Sequence, residues 1–350
     1  MKKLAALFLV LALLLGACAG MAEETDSYAA DLTGKKIGIS FYAYASTSAI
    51  RQLDYLIYCI EQAGGEAIFA IANNSVEQHL ADIETLLEQK IDALILDPCQ
   101  MDGFESALAQ CRDAGVPVFL MGNQLNPDVY TAGKDYVTLL QADFVYQGYQ
   151  AGLMAAEIAK EHLNGKANAI MLFGTPGSAS AVGRIEGVEK GVNESEGVVL
   201  VGTQSAYNKA AEAQTITENY LMSSGGPDAE HGVNLIINLT HNCAVGAIAG
   251  VKNMGYNLND EVYVIVIDGV KEDLQDIIDG NLYGAVESPT FYADQQVELI
   301  ARYFDGETLE ARYEIPPHSF TIENAQEWYD RFDNYDKLIG LSDKSEKTIR

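Results

Sequence analysis

Two stretches of the chain repeat the same order of short apolar strands and amphipathic helices. Residues 36–121 contain four strands separated by helices, and residues 169–267 contain four more after a long helix predicted over 143–162. Short strands alternating with helices of this length predict right-handed crossovers and a parallel sheet covered by helices on both faces. A repeat of about 130 residues is too long for a solenoid. The sequence therefore predicts an α/β protein with two similar doubly wound lobes.

The segment Ala169–Val192 predicts one wall of a binding site. It consists of a buried strand over 169–173, a glycine-containing loop over 174–178, and a helix that carries Arg184. In open parallel sheets, ligands bind beyond the carboxyl ends of the strands, where loop N–H groups and helix N-termini point outward. Residues 36–71 have the same layout, so we expect the opposite wall there.

Length and charge limit the kind of partner. The chain has 350 residues, which exceeds what one core usually covers, so two lobes of domain size are expected. With 22 basic and 50 acidic side chains its formal charge is -28, and no basic stripe is present to neutralise phosphates. We therefore expect no nucleic-acid partner. An acidic surplus keeps a secreted protein soluble and disfavours anionic ligands outside a dedicated site.

The amino terminus predicts export. Two lysines precede an apolar run over 4–15, which is shorter than the roughly 20 residues of a membrane-spanning helix and ends in small residues. The sequence LGAC at 15–18 resembles the bacterial lipobox, in which the cysteine is lipidated and becomes the first mature residue. We expect a lipoprotein signal peptide over 1–18, lipidation of Cys18 and a tether over 19–34. The alternative is a plain secretory signal in which this cysteine is incidental.

The remaining cysteines do not form a disulfide framework. Cys111 lies about nine residues into the helix that follows Cys99, so a rise of about 1.5 Å per residue separates it by about 13 Å from the helix start. This exceeds the limit of roughly 7 Å between bridged Cα atoms. We expect all four, including Cys59 and Cys243, to be small apolar residues of the interior.

Several local motifs occur in an order that is similar to one protein family. They are AGVPV at 114–118, RIEG at 184–187, VIVIDG at 264–269, GAVESP at 284–289 and TIEN at 321–324. This order resembles the type 1 periplasmic binding proteins, the ribose- and galactose-binding group whose fold is shared with lactose-repressor-like effector domains. The resemblance covers about Lys35 to Trp328. It implies two lobes joined by a three-strand hinge, with a substrate held between them.

The resemblance also sets the expected domain boundaries. The first lobe comprises 35–141 plus 289–312, and the second comprises 142–288 plus 313–332. The hinge is expected near Gln141, Ser288 and Tyr313. Residues 333–350 form a polar tail to which we assign no fold.

Three charged positions are implied as ligand contacts. Arg184 and Asp268 match family residues that hydrogen-bond a sugar. A charged donor paired with a charged acceptor can bind vicinal hydroxyls. The alternatives are that Arg184 is an exposed cation paired with a nearby glutamate, and that Asp268 only marks a turn. Glu287 stands where the family often has glutamine and is expected to accept a hydrogen bond. Its alternative is a carboxylate at a strand edge.

Two departures from the family pattern concern the identity of the substrate. Gly122 and Asn123 replace an Asp-Arg pair after the fourth strand, which argues against ribose or galactose in particular. Asn123 and Gln124 still provide amide donors and acceptors. Thr240 and His241 replace an Asn-Asp pair. His241 either hydrogen-bonds the ligand or serves as a helix cap or packing residue.

The loop after the first strand contains the aromatic candidates. Tyr42 and Tyr44 share one side of an extended segment by the period of two, so both are expected to face the cleft and to stack on a sugar. The alternative is that Phe41 and one tyrosine fill the core.

Enzymatic motifs are not found. The segment from Gly174 lacks the GxGxxG spacing, and neither GxxxxGK[ST] nor GxSxG occurs. His241 and Cys243 are two residues apart, which suits neither a zinc site nor a nucleophile and its base. We expect no enzyme activity, no cofactor and no metal, although a surface hydrolase remains an alternative because catalytic residues assemble in space.

The function implied by the resemblance is that of a receptor. We expect a monomeric extracytoplasmic lipoprotein that is anchored to the membrane by its lipid, captures a sugar or polyol and delivers it to an ABC permease and ATPase. A receptor that signals to a membrane kinase would use the same site residues. A nucleoside is also left open as the ligand.

Overall fold

The structure of the protein is a computed structural model that describes residues 30–44 and 47–340. The predicted signal peptide with Cys18, the tether up to residue 29, loop residues 45–46 and the end of the tail lie outside the described residues. Across the part that is described, no helix is long and apolar enough to cross a membrane.

Strands and helices alternate along nearly the whole described chain. The elements up to the first crossing between lobes are β1 (Lys36–Phe41), α1 (Thr47–Gln62), β2 (Glu66–Ile71), α2 (Val76–Glu88), β3 (Ala93–Leu96), α3 (Glu105–Ala114), β4 (Val118–Met121) and β5 (Thr138–Ala142). Those between the first and second crossings are α4 (Phe144–His162), β6 (Ala167–Phe173), α5 (Ala179–Asn193), β7 (Val198–Ser205), α6 (Ala210–Ser223), β8 (Leu235–Asn238), α7 (His241–Asn253), β9 (Tyr263–Asp268), α8 (Lys271–Ile278) and β10 (Gly284–Glu287). The remaining elements are α9 (Ala293–Phe304), β11 (Arg312–Ile315), β12 (Ser319–Thr321) and α10 (Ala325–Leu338).

The strands form two six-stranded sheets, one for each lobe. The first sheet has the order β11-β5-β4-β3-β1-β2 and is parallel throughout. The second has the order β12-β10-β9-β8-β6-β7 and is parallel except for β12, which pairs antiparallel with β10. Central strands are buried on both faces, as in β3, whose four residues are all buried. The predicted fold of two doubly wound α/β lobes is confirmed.

The chain crosses between the lobes three times. The crossings follow β5, β10 and β11, at 143, 288–292 and 316–318. Because Ile315 still pairs with Ala142 in the first sheet, the third crossing lies three residues beyond the expected boundary after residue 312. Tyr313 is therefore within a strand of the first lobe, whereas Ser288 lies at a crossing.

Helix α10 extends further than the sequence predicted. No fold was expected after Asp333, but the helix continues to Leu338. Phe332 packs in the core of the second lobe, while Tyr335 and Ile339 pack against that of the first. Phe332, Tyr335 and Ile339 have helical spacing, but charged residues lie between them, so the amphipathic pattern is not evident in the sequence. The helix therefore contacts both lobes.

The cysteines have the predicted character. Cys59, Cys111 and Cys243 are buried and Cys99 is half-buried. These four described cysteines are all free thiols.

Candidate functional site

A cavity of about 730 Å³ lies between the two lobes at the carboxyl ends of their strands. The structure places six of the predicted site residues in its lining, namely Tyr42, Asn123, Arg184, Thr240, His241 and Asp268. Side chains that the sequence motifs do not indicate also line it, among them Gln52, Asp97, Phe144, Asn208, Glu272 and Tyr292. The two predicted walls thus face each other.

Arg184 is the anchor of the second-lobe wall. Its side chain is only 5% exposed. Its Nε donates to Gln147 Oε1 at 2.9 Å, and its Nη1 donates to the Leu239 carbonyl at 2.6 Å and to Asp268 Oδ1 at 3.0 Å. The alternative of an exposed cation paired with a nearby glutamate is wrong, because the guanidinium is buried and bonded inside the lobe.

Close packing of α4 on α5 brings Gln147 and Arg184 together. A Cβ atom on Gly148 would lie 2.1 Å from the Arg184 carbonyl oxygen, and one on Gly187 would lie 2.0 Å from the Val145 carbonyl oxygen. Only glycine permits this approach of the two backbones. The glycines in these helices therefore allow α5, which carries Arg184, to pack closely on α4, which carries Gln147.

Asp268 ends β9 and connects three parts of the wall. Its Oδ1 accepts the hydrogen bond from Arg184, and its Oδ2 accepts one from the backbone N–H of His241 at 2.9 Å. His241 is the first residue of α7. A helix N-terminus favours a negative charge at this place. The carboxylate is 25% exposed toward the cavity, so it retains access for a ligand.

His241 is held by a buried carboxylate behind it. Its Nδ1 lies 2.7 Å from Asp273 Oδ1, and the Asp273 side chain is 1% exposed. Burial lowers the pKa of His241, but the hydrogen bond and charge of Asp273 outweigh this effect and leave the pKa raised. The neighbouring Thr240 is the N-cap of α7 and accepts from the Cys243 N–H. Thr240 rather than His241 is therefore the cap of this helix, and His241 lies in its first position and lines the cavity.

Asp97 is the main polar group of the first-lobe wall. It follows β3 directly and is 1% exposed. Its Oδ1 accepts the backbone N–H of Asn123 at 3.2 Å and its side-chain amide at 2.7 Å. Burial raises the pKa of Asp97 to about 7, although the Asn123 bonds oppose this. In the described part of the molecule, Oδ2 is buried without a hydrogen-bond partner.

Three aromatic side chains contribute apolar surface to the cavity. Tyr42 is half-buried beside Phe41, with the ring centroids 5.0 Å apart. The Phe144 ring lies 5.8 Å from the guanidinium carbon of Arg184. Tyr292 is buried and its hydroxyl accepts a hydrogen bond from Gln52. The half-buried rings of Tyr42 and Phe144 provide faces on which the apolar side of a sugar can stack.

Three predicted site residues do not line the cavity. The Tyr44 hydroxyl donates to the Asp54 carboxylate at 3.3 Å, and its ring packs against the first-lobe core. Glu287 is buried and pairs with His318 Nδ1 at 2.6 Å, which connects the end of β10 to the third crossing. Gln124 is half-buried beside the lining residue Asn123.

The sequence carried weak signals for the residues that were missed. Asp97 is a polar residue directly after a buried strand, which is the position where ligands of parallel sheets bind. Phe144 begins the helix after the first crossing, whereas the aromatic residues that the sequence indicates both follow β1. Within 30–44 and 47–340, no group of His, Cys, Asp or Glu side chains is placed to hold a metal ion.

The comparisons with known proteins agree with this architecture. The model of the periplasmic binding protein domain matches residues 38–308. The chain belongs to this family. It is 26% identical over 271 residues to the fructose import binding protein of Bifidobacterium longum, covering 77% of this chain and 79% of that protein. It is 24% identical to the galactofuranose-binding protein of Escherichia coli, covering 71% and 76%.

A solved structure shows the same fold. The binding protein component of the arabinose ABC transporter from Shewanella sp. ANA-3, bound to arabinofuranose, superposes with a TM-score of 0.77 at 18% identity. The match covers 90% of this chain and all of that one. The relatives from Bifidobacterium longum and Escherichia coli are named as binding proteins, in agreement with the expectation of a binding protein rather than an enzyme.

Proposed function

We propose that the protein is an extracytoplasmic solute-binding lipoprotein that captures a sugar or polyol between its lobes and delivers it to an ABC importer. The observation that carries this proposal is the cavity between the lobes, with the Arg184–Asp268 pair in its wall. The relatives named for fructose import and galactofuranose binding favour a sugar as the ligand. The lipobox-like sequence favours anchoring through Cys18.

The mechanism is closure of the two lobes on the ligand. The Asp268 carboxylate accepts a hydrogen bond from a ligand hydroxyl. His241 and Thr240 offer further polar contacts from the same wall. Asn123 and Tyr42 approach from the first lobe. A ligand that bonds to both walls is bound more tightly by the closed form, so it shifts the population toward closure.

Thermal unfolding with and without sugars tests the proposal. The mature protein is screened against D-fructose, D-galactose, D-ribose, L-arabinose, xylitol and myo-inositol. A ligand at 100 times its dissociation constant adds about 2.7 kcal/mol of stability, which raises the melting temperature by several degrees. The proposal predicts such a shift with at least one compound, and no shift with any of them would contradict it.

The variant Asp268→Ala connects the shift to the cavity. Removing the carboxylate takes away a ligand acceptor and leaves Arg184 Nη1 with one partner fewer, so affinity should fall at least about tenfold. Asp260→Ala is the matched control, because Asp260 is an exposed residue of the same lobe outside the cavity. Unchanged affinity of Asp268→Ala would remove Asp268 from the site.

Uptake in cells tests the delivery step. Deletion of the gene should abolish uptake of the labelled sugar that the protein binds. Intact uptake with loss of a transcriptional response to that sugar would instead favour the sensing role.

A further inference from the structure

The carboxyl group of Asp97 has one oxygen that the protein leaves unused. Asp97 lines the cavity, and its Oδ2 is buried without a hydrogen-bond partner among the residues that the structure describes. Buried carboxylate oxygens are normally hydrogen-bonded, and an unsatisfied one is costly. The position of this atom in the wall of a binding cavity makes a ligand the natural source of the missing donor.

Two neighbours fix which oxygen is left free. Asn123 donates its backbone N–H and its side-chain amide to Oδ1, so the carboxyl group is held by one edge. Gly122 has φ +77, and a Cβ atom there would lie 2.8 Å from Oδ2. Glycine therefore leaves room for Oδ2 at the end of β4, where a larger residue would displace the carboxyl group.

Among the described residues that line the cavity, Arg184 is the only lysine or arginine, and it pairs with Asp268 rather than with Asp97. The charged side chains of the lining, other than His241, are Asp97, Asp268, Glu272 and Arg184. Arg184 is bonded to Asp268, Gln147 and the Leu239 carbonyl in the opposite wall. Even when His241, whose pKa is raised, is protonated, the three carboxylates outnumber the two cations of the described lining, so an anionic ligand would meet repulsion there.

We propose that Asp97 determines specificity: its Oδ2 accepts a hydrogen bond from a hydroxyl of an uncharged polyhydroxylated ligand and excludes sugar acids and sugar phosphates. This inference rests on the proposed function of the same cavity. It adds a first-lobe residue that the motifs did not indicate, and it defines the class of ligand by charge.

The substitution Asp97→Asn changes the proposed contact with little change of shape. The asparagine Oδ1 still accepts both bonds from Asn123, while a donor NH₂ group replaces the acceptor Oδ2. Asp82→Asn is the matched control. Asp82 is also a buried first-lobe carboxylate that accepts one amide bond, from Gln78, and has an unpartnered Oδ2, but it lies on α2 outside the cavity.

The experiment is a calorimetric titration at about pH 8.5, where the Asp97 carboxyl group is ionised because its pKa is raised to about 7. Each of the six neutral compounds of the thermal screen is paired with its acid or phosphate ester, for example D-ribose with D-ribose 5-phosphate, D-fructose with D-fructose 6-phosphate, and D-galactose with D-galacturonate. For the neutral probe that binds, the wild-type protein should bind the anionic member at least about 100-fold more weakly, because two like charges meet in a partly desolvated cavity. Asp97→Asn should weaken binding of the neutral probe at least about tenfold. It should also reduce the ratio of the dissociation constants of the anionic and neutral probes at least about tenfold. Asp82→Asn should leave both affinities unchanged.

The outcomes separate this inference from the function on which it rests. Binding of none of the neutral probes to the wild-type protein contradicts the proposed function, and the inference fails with it. Neutral binding that Asp97→Asn leaves unchanged, in a variant that unfolds cooperatively, overturns the role of Asp97 alone. Equal wild-type affinity for both members of a pair overturns the exclusion of anions.

Discussion

The two walls of the cavity differ in how completely their polar groups are bonded. In the second-lobe wall, Arg184, Asp268 and His241 are connected to one another and to Asp273 by hydrogen bonds. In the first-lobe wall, Asp97 is fixed at one oxygen only. The comparison indicates that the second wall is ordered before a ligand arrives, whereas the polar contacts of the first are completed by the ligand.

This difference has an energetic consequence. A wall whose side chains are already held loses little conformational entropy on binding, so more of its interaction energy appears as affinity. A wall with an unpaired buried acceptor gains a hydrogen bond that it lacks in the free state. We therefore expect changes in the second wall to affect affinity and also stability at every pH, and changes in the first wall to affect affinity and the dependence of stability on pH.

The largest effect is expected from Arg184→Ala. It leaves Gln147, Asp268 and the Leu239 carbonyl without their charged donor, and breaking a buried pair in this way costs about 3–5 kcal/mol. The free energy of unfolding, measured in urea, should fall by that amount, and sugar binding should be lost. The control Arg112→Ala removes an arginine whose side chain is 49% exposed and should cost at most about 1 kcal/mol. If both variants lose the same free energy of unfolding, the hydrogen bonds of Arg184 do not stabilise the second wall.

An intermediate effect is expected from the titration of Asp97. Its pKa is raised to about 7 in the folded protein and is near 3.8 for an unperturbed aspartate, so between these values the folded state binds more protons than the unfolded state. This group therefore makes stability fall as the pH rises from about 4 to about 7, with a slope of at most about 1.4 kcal/mol per pH unit. Urea unfolding across that range should show that Asp97→Asn gains stability relative to wild type as the pH rises. A constant difference would show that Asp97 is not protonated in the first wall.

The smallest effect is expected from the aromatic residues. Tyr42→Ala removes a ring from the cavity and should weaken sugar binding about threefold to tenfold. Tyr44→Phe removes only the hydroxyl that bonds to Asp54, outside the cavity, and should leave affinity unchanged. Calorimetry on both variants distinguishes the two tyrosines, and a larger loss for Tyr44→Phe would reverse their assignment.

The fold was accessible from the sequence because the strand and helix periods are local properties. Arg184 and Asp268 were accessible for a related reason, since each follows a strand within a recognisable motif. Tyr44 was placed wrongly because β1 ends at Phe41 and the chain bends at Tyr42, so the period of two no longer applies. The side chain of Glu287 bonds to His318, a residue 31 positions away at another crossing, which no local pattern reveals.

Asp97 required the three-dimensional structure. Its position depends on the ends of β3 and β4 lying side by side, on the amide of Asn123, and on the space left by Gly122. Residues 97 and 122 are far apart in the sequence, and glycine is common in loops because it permits the backbone angles of tight turns. Only the three-dimensional structure shows that the absence of a side chain at Gly122 leaves space for the free Oδ2 of Asp97.

A crystal structure of the mature protein with the neutral sugar that gives the largest thermal shift tests the central claim most directly. We predict a closed cleft in which ligand oxygens lie within hydrogen-bonding distance, about 2.5–3.2 Å, of both Asp97 Oδ2 and the Asp268 carboxylate. A sugar bound outside the cleft, or in contact with one lobe only, would contradict it.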